Sequence, residues 1–391
     1  MARAEIIIGE TVSNHYNGAG TNYVVETLNG VVYQVYVDRL ADLKFTKSAD
    51  GGLTWKDPVN IFTGNVLGVA VWYDRWSGIS GDLIHIAWYE DATDDILYNN
   101  INTASGDALG GQTTVFAGNT AVSGGALSIV RGRNGDLRVA GSIDAGAEDG
   151  AWSSADVGAT WGDTIADPSE GATQDQYFLL PGWNADTADV MLIFGDASAN
   201  GLSVKRYDDS ANSWAETAII ADGSWVDFTA PNSFPHVAVA VDLANSRNII
   251  VAWTAVDSLN ADLRCFIIDD TTITETATNV VLNSTDDQGL CAIGIEINSG
   301  DWYVFYCGKT DGSESFSTSV QVYYKVSTDD GATWGAETLL TSELHSTQWL
   351  VCNPRFNGDA VVAFYNAVAS APRIMVSVSS QKPYARYQIG I

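Results

Sequence analysis

Short runs of β-branched and aromatic residues recur along the chain, separated by polar turns. "TNYVVET" (21–27), "VVYQVYVD" (31–38), "LKFTKS" (43–48) and "VNIFT" (59–63) open the series. Such side chains fit a pleated surface, and the Gly, Asn, Asp and Ser between them favour turns, so the pattern predicts strands. "LNGV" (28–31), "RNGD" (133–136), "NSGD" (298–301) and "FNGD" (356–359) predict hairpins between first and second strands, because Asn-Gly and Gly-Asp tolerate positive φ. No stretch of useful length carries a helical period. No apolar run reaches the roughly 18 residues a membrane-spanning helix needs.

A second pattern lies over the first. "SADGGLTW" (48–55), "SADVGATW" (154–161) and "STDDGATW" (327–334) all fit Ser-x-Asp-x-Gly-x-Thr-Trp. Between them, "DSANSW" (209–214) keeps the step from Asp209 to Trp214, "DDTTIT" supplies Asp269, and "NINTASGDALGG" (100–111) reads as a worn copy. The resulting period of 53 to 60 residues falls in the range of propeller repeats. In each repeat the unit sits between the third and fourth strands. Its Ser and Asp can bond amides of their own turn, its Gly takes a conformation other residues resist, and its Trp packs beneath.

First strands fall near Tyr23, Val69, Leu127, Tyr177, Val237, Cys291 and Leu350. The last repeat has three strands, "WLVCNPRF" (349–356), "AVVAFYN" (360–366) and "RIMVSVSS" (373–380), while "AEIIIGET" (4–11) begins the chain without a partner. The expectation is one all-β propeller of seven blades, each of four antiparallel strands, with six blades as the alternative. The N-terminal strand completes the last blade, closing the ring and removing exposed edges. Residues 1–381 form the propeller and 382–391 a C-terminal tail.

The unit formed by Ser48, Asp50, Gly52 and Trp55, by Ser154, Asp156, Gly158 and Trp161, by Asp209 and Trp214, and by Ser327, Asp329, Gly331 and Trp334 resembles the Asp-box, or BNR repeat, of the sialidase-like β-propeller superfamily. The resemblance spans nearly the whole chain. It implies the fold and leaves function open, because that superfamily includes sialidases, other glycosidases, lectins and non-catalytic assembly factors.

Strand alternation puts the one–two and three–four turns on one face of the ring, here called the clasp face. The two–three turns and the links between blades lie on the other, the mouth, where the resemblance implies that substrate binds. Mouth candidates are His15, Tyr16, Asp38, Arg39, Glu90, Asp91, Asp149, Trp225, Asp227, His345, Trp349 and Tyr365. Acids bond sugar hydroxyls and rings stack on apolar sugar faces; paired carboxylates are also the equipment of glycoside hydrolysis. The Arg-Ile-Pro motif of sialidases is missing. Arg75, Arg133 and Arg355 fall toward the clasp face, leaving Arg39, Arg264 and Arg373 for the mouth without a family motif, which argues against a sialidase.

A net charge of −29 argues against nucleic-acid binding through phosphates. "EDATDD" (90–95) and "STDD" (284–287) gather hard oxygens suited to a structural Ca²⁺; no other cofactor is expected. Of the four cysteines, Cys291 and Cys307 flank the "NSGD" turn, where buried thiols are expected and a cross-strand disulfide is the alternative. No Cys-x-x-Cys or His cluster suggests zinc. The first expectation for function is a non-catalytic propeller that recognises a glycan or neighbouring protein subunits. The alternative is a glycoside hydrolase acting through mouth carboxylates. "MARAEIIIGE" lacks the apolar core of a secretion signal, which points to a virion component such as a bacteriophage fibre, spike or decoration protein.

Overall fold

Turn chemistry sets the strand boundaries. The computed structural model describes residues 6–10, 22–118, 127–143, 148–162, 177–184, 188–196, 201–220, 237–257, 260–276, 279–281, 290–309, 321–341, 350–366 and 373–378. After β1 (Ile6–Glu10), the first sheet runs through β2 (Asn22–Glu26), β3 (Val32–Val37), β4 (Leu43–Ser48) and β5 (Val59–Phe62). The second holds β6 (Val66–Tyr73), β7 (Leu83–Glu90), β8 (Asp95–Asn102), β9 (Ala108–Leu109) and β10 (Thr113–Ala117). Among the described residues the third has three strands, β11 (Leu127–Arg131), β12 (Leu137–Ile143) and β13 (Glu148–Ser154). The fourth is β14 (Tyr177–Asn184), β15 (Ala188–Asp196), β16 (Gly201–Asp208) and β17 (Ser213–Ile220). The fifth is β18 (Val237–Asp242), β19 (Arg247–Asp257), β20 (Asn260–Ile268) and β21 (Ile273–Glu275). The sixth is β22 (Cys291–Glu296), β23 (Trp302–Cys307), β24 (Val322–Ser327) and β25 (Thr338–Leu339). Then follow β26 (Leu350–Cys352), β27 (Arg355–Phe356), β28 (Val361–Asn366) and β29 (Arg373–Val378).

β26, β28 and β29 form the seventh sheet, and β1 joins its outer edge antiparallel to β29, pairing Ile6 with Val376 and Glu10 with Arg373. The lone N-terminal strand thus completes the last sheet, as its unpaired sequence implied. β27 adds parallel to β22 and ties the sixth sheet to the seventh. Innermost strands touch in succession, β2 to β6, β6 to β11, β11 to β14, β14 to β18, β18 to β22, β22 to β26, and β26 back to β2. The fold is an all-β propeller built mostly of four-stranded sheets.

Sheets stacked this way bury both faces. β3, β6, β22 and β23 are therefore buried at every position, and apart from Gln34 in β3 and Glu296 at the end of β22 their sequences read as apolar runs rather than alternating ones. The two cysteines of the sixth sheet follow from the same register. Cys291 pairs with Tyr306, one position off Cys307, so the two thiols join different apolar clusters on opposite faces. All four cysteines are free and buried, and the cross-strand disulfide has no geometry to form.

The three Ser-x-Asp-x-Gly-x-Thr-Trp turns have one construction. Ser48 Oγ donates to Asp50 Oδ1 at 2.7 Å and accepts from the Gly52 amide at 2.8 Å; Asp50 accepts from the Thr54 amide and hydroxyl at 2.8 and 2.6 Å. Ser154, Asp156 and Thr160 repeat this, as do Ser327, Asp329 and Thr333. Burial pushes the Asp50 carboxyl up, but hydrogen bonds from Thr54, Ser48 and Leu53 outweigh it and bring it down to about 2. The Thr160 hydroxyl and amide hold Asp156 at about 2. Gly158 adopts φ +87°, and a Cβ there would lie 2.1 Å from the Tyr98 ring. Trp161 lies edge-on to the same ring at 5.3 Å. The polar side chains of these turns are spent on their own backbone.

The fourth-sheet copy is shifted by one residue. Asp208, not Asp209, binds its own turn, accepting from the Ser210 hydroxyl at 2.7 Å and the Ala211 amide at 3.0 Å. Asp209 instead faces Arg138 at 3.3 Å. Trp214 still packs on Tyr207, with ring centroids 5.1 Å apart. In the worn copy Asn102 takes the acid's place, its side-chain oxygen accepting from the Ala104 and Ser105 amides.

Candidate functional site

At the mouth the two–three turns of the first two sheets are described in full. Asp38 Oδ1 accepts from the Leu40 and Asp42 amides at 2.8 and 3.0 Å, and Lys44 lies 2.5 Å from its other oxygen. Glu90 accepts from the Ala92 and Thr93 amides at 3.0 and 2.8 Å and from the Thr93 hydroxyl at 2.7 Å. Burial raises the Glu90 carboxyl, but these bonds win and lower it. Both acids spend their oxygens on their own turns. Their effect at the mouth is indirect: they hold Arg39, Leu40 and Asp91 on the exposed crest. Asp91 is bonded by the Asn65 amide from the preceding link.

Asp149 stands in β13 opposite Ser142, and Tyr365 in β28 opposite Ile374, each near the mouth end of its strand. His15, Tyr16, Trp225, Asp227, His345 and Trp349 lie outside the described residues. Arg264 is engaged twice by Glu275, with Nε 2.5 Å from Oε1, so its guanidinium already has a carboxylate. Among the described residues no three His, Cys, Asp or Glu side chains gather to hold a metal. The "STDD" segment lies outside them.

The clasp face carries the better-defined concavity. The one–two turn of the second sheet is long, from Asp74 to Asp82, and includes a 3-10 turn at Asp74–Ser77. Gly78 in this turn meets Leu243 of the fifth sheet, 3.2 Å from where a Cβ would be. Arg355 of β27, beside the sixth sheet, donates to the Val241 carbonyl of the fifth at 3.2 Å. Sheets two and five are not neighbours, so these turns cross the ring axis. Around the crossing a pocket of ≈ 230 Å³ is lined by Glu26, Tyr73, Arg75, Trp76, Leu243, Ile297, Arg355 and Phe356, with further residues of the same turns. Arg75 and Arg355 are thus on the face that strand alternation assigned to them. Arg133, the third arginine so assigned, lies over the Trp183 ring at 4.8 Å.

Glu26 closes one side of this pocket. It accepts from the Asn353 side-chain amide at 2.7 Å and the Asn357 backbone amide at 3.2 Å. Burial, with Glu296 and Asp359 nearby, pushes its carboxyl up to about 7 despite those bonds. A buried cluster lies between sheets two and three. Asp74 Oδ1 accepts from Arg131 at 2.6 Å and lies 2.8 Å from His85 Nε2, while His85 Nδ1 lies 2.7 Å from the Tyr98 hydroxyl. His85 is fully buried, and burial pushes its pKa down even with Asp74 beside it. No sequence motif marked Glu26, Tyr73, Trp76 or Asp74. The only local signal was the length of the 74–82 turn.

No protein-family model matches the chain, and neither does any curated protein. Solved structures do. An ulvan lyase of polysaccharide lyase family PL25, bound to -[GlcA(1-4)Rha3S]-, superimposes with a TM-score of 0.60 over 96% of this chain and 98% of its own, at 10% identity. A Hadza microbial sialidase gives 0.52 at 14% identity over 94% of this chain and 66% of its own. A Trypanosoma rangeli sialidase gives 0.50 at 10% identity over 96% and 58%. The chain therefore has the β-propeller fold that these proteins share. At these identities the likeness is one of fold.

Proposed function

We propose that this protein is a carbohydrate-recognising propeller that binds a glycan across its acidic mouth without turning it over. Each sheet is read as one blade, giving seven, and the three Ser-x-Asp-x-Gly-x-Thr-Trp turns as Asp-boxes. The closed succession of innermost-strand contacts supports that count. The observation that carries the functional reading is the pair of rigid mouth turns. Asp38 and Glu90 fix their backbones and present Arg39, Leu40 and Asp91 outward, with Leu40 77% exposed. A polar crest beside an apolar side chain suits a sugar, whose hydroxyls and ring face need both. Ulvan lyase and the sialidases, which share the fold, are carbohydrate-active proteins.

The test is a glycan-array screen, with and without calcium, paired with a turnover assay on every hit. Binding without turnover, lost in an Arg39→Ala, Asp91→Ala double variant, is the expected result. Turnover would replace this reading with the glycoside hydrolase alternative. Absence of binding would leave a neighbouring protein subunit as the partner. The finer part of the proposal is display from a virus particle, where strong like charge keeps identical copies from adhering. Absence of the chain from purified particles would remove that part alone.

A further inference from the structure

The clasp face presents an apolar rim. Leu28 and Ile297, in the one–two turns of the first and sixth sheets, are 59% and 39% exposed and stand at the ≈ 230 Å³ pocket, whose walls also include Ile79 and Leu243. Four aliphatic side chains around one concavity form a patch rather than scattered exposure, and such a patch marks a contact surface. The chain leaves the described structure on this same face. β28 starts from the clasp-face turn and β29 runs antiparallel to it, so β29 ends there, with Val378 opposite Val361. Residues 379–391, SSQKPYARYQIGI, follow.

Reach selects the occupant. Asn357 lines the pocket and precedes Val361 by four residues. The path from Val378 across the strand pair and back to Asn357 is at most ~20 Å, taking ~5 Å between paired residues and ~3.6 Å per residue along the chain. About six extended residues span it, so Tyr384 and those after it reach the pocket. Other chain on this face is committed elsewhere. Residues 163–176 leave it to begin β14 at the mouth, 185–187 join β14 to β15, and 1–5 precede the outermost strand, β1. Charge selects the same segment. It carries Lys382 and Arg386 and no acid, in a chain of 48 acids and 19 bases. On its path Glu26, Glu296 and Asp359 stand close enough for the last two to disfavour ionisation of the first. Arg75 and Arg355 in the pocket lining are already engaged, by the Gly81 carbonyl and Asp82 and by the Val241 carbonyl.

We propose that the clasp-face pocket is the docking site of the chain's own C-terminal segment, with Tyr384 and Tyr387 covering the rim at Leu28 and Ile297 and with Lys382 and Arg386 beside the carboxylates of the seam. Docking within one chain is favoured because the short connection from Val378 holds the segment at high local concentration. The site lies on the face opposite the mouth and is independent of the glycan reading.

The experiment reads the accessibility of a thiol placed at the rim of the full-length chain. Leu28→Cys puts one there, Leu40→Cys puts a control at the mouth, and the four native thiols are buried. Maleimide labelling at position 28 is expected to be about tenfold slower than in a chain that also carries Tyr384→Ser and Tyr387→Ser, since the rate follows the undocked fraction. Labelling at position 40 is expected to ignore those tail substitutions. Dilution of the protein is expected to leave the protection at position 28 intact, and a synthetic 379–391 peptide to restore it in the tail variant. Equal rates at position 28 with and without the tail substitutions would overturn the proposal. Protection that fades on dilution would also overturn it and assign the pocket to the tail of a second copy. Unchanged labelling in Lys382→Gln, Arg386→Gln would overturn the role given to the carboxylates. If Leu28→Cys fails to fold, Ile297→Cys on the opposite rim gives the same reading.

Discussion

The Glu26 carboxylate accepts a 2.7 Å hydrogen bond from the Asn353 side-chain amide, across 327 residues of chain. This contact joins the first sheet to the seventh at the pocket, and Asn298 extends the seam by bonding Glu296 and Asn357 at 2.9 and 2.6 Å.

The seam gives a pH dependence with a definite sign. Burial raises Glu26 from 4.5 to about 7, so between those values the folded chain holds a proton that the unfolded chain has released. Stability from this group is present below about pH 4.5 and is lost as pH rises through about 7, by at most ~3 kcal/mol. His85 acts in the opposite direction below its unfolded value, because burial keeps it neutral while the unfolded chain protonates. The difference between wild type and Glu26→Gln isolates the first effect. Melting temperatures from pH 5 to pH 8 should converge toward the variant at low pH and fall below its trend at high pH. Parallel curves would contradict the assignment.

The clasp turns make a second test. Ser48 is fully buried, and its hydroxyl both bonds Asp50 and receives the Gly52 amide. Ser48→Ala should cost about 1 to 2 kcal/mol in denaturant unfolding, since it leaves a buried amide unpaired. Gly158→Ala should cost more than Gly30→Ala. Both glycines have positive φ, but a Cβ at 158 meets Tyr98, whereas at 30 it meets nothing within 4 Å. Equal costs would mean that Tyr98 yields freely.

Local chemistry explains what could be read before the structure. The clasp is made by residues within eight positions of one another, so its sequence carries its geometry, and its recurrence carries the repeat. The lone "AEIIIGET" strand forecast closure because an unpaired strand needs an edge. The shift from Asp209 to Asp208 was illegible because adjacent acids offer the same atoms to the turn. The axis-crossing contact of Gly78 with Leu243 and the pocket it roofs depend on sheets far apart in sequence, and no local pattern records them. At the mouth, residue type could not tell that the amides following Asp38 and Glu90 occupy their carboxylates.

Asp74 tests the cluster between sheets two and three. It is fully buried and accepts from Arg131, His85 and the Leu83 amide. Burial alone would raise its carboxyl, and these partners lower it instead. Asp74→Ala strands a partly buried guanidinium and should cost about 3 to 5 kcal/mol. Asp74→Asn, which keeps one acceptor, should cost less. Chemical denaturation of the two variants decides, and a near-neutral Asp74→Ala would show that Arg131 finds water on its exposed side.

The thiols give the last test. Cys265, Cys291, Cys307 and Cys352 are free and buried, and burial pushes up the pKa values of Cys265, Cys291 and Cys352, for Cys291 with Cys307 and Cys352 adding to it. A thiol that is both inaccessible and protonated is a poor nucleophile. In native buffer the protein should leave an aromatic disulfide reagent unreacted over the time in which it labels all four cysteines in guanidinium. A reducing agent should leave the melting temperature unchanged, since no bond is there to break. Prompt labelling of one thiol in the native state would place that cysteine at a surface. A melting temperature lowered by reductant would instead require a disulfide, which the Cys291–Tyr306 register forbids within the sixth sheet.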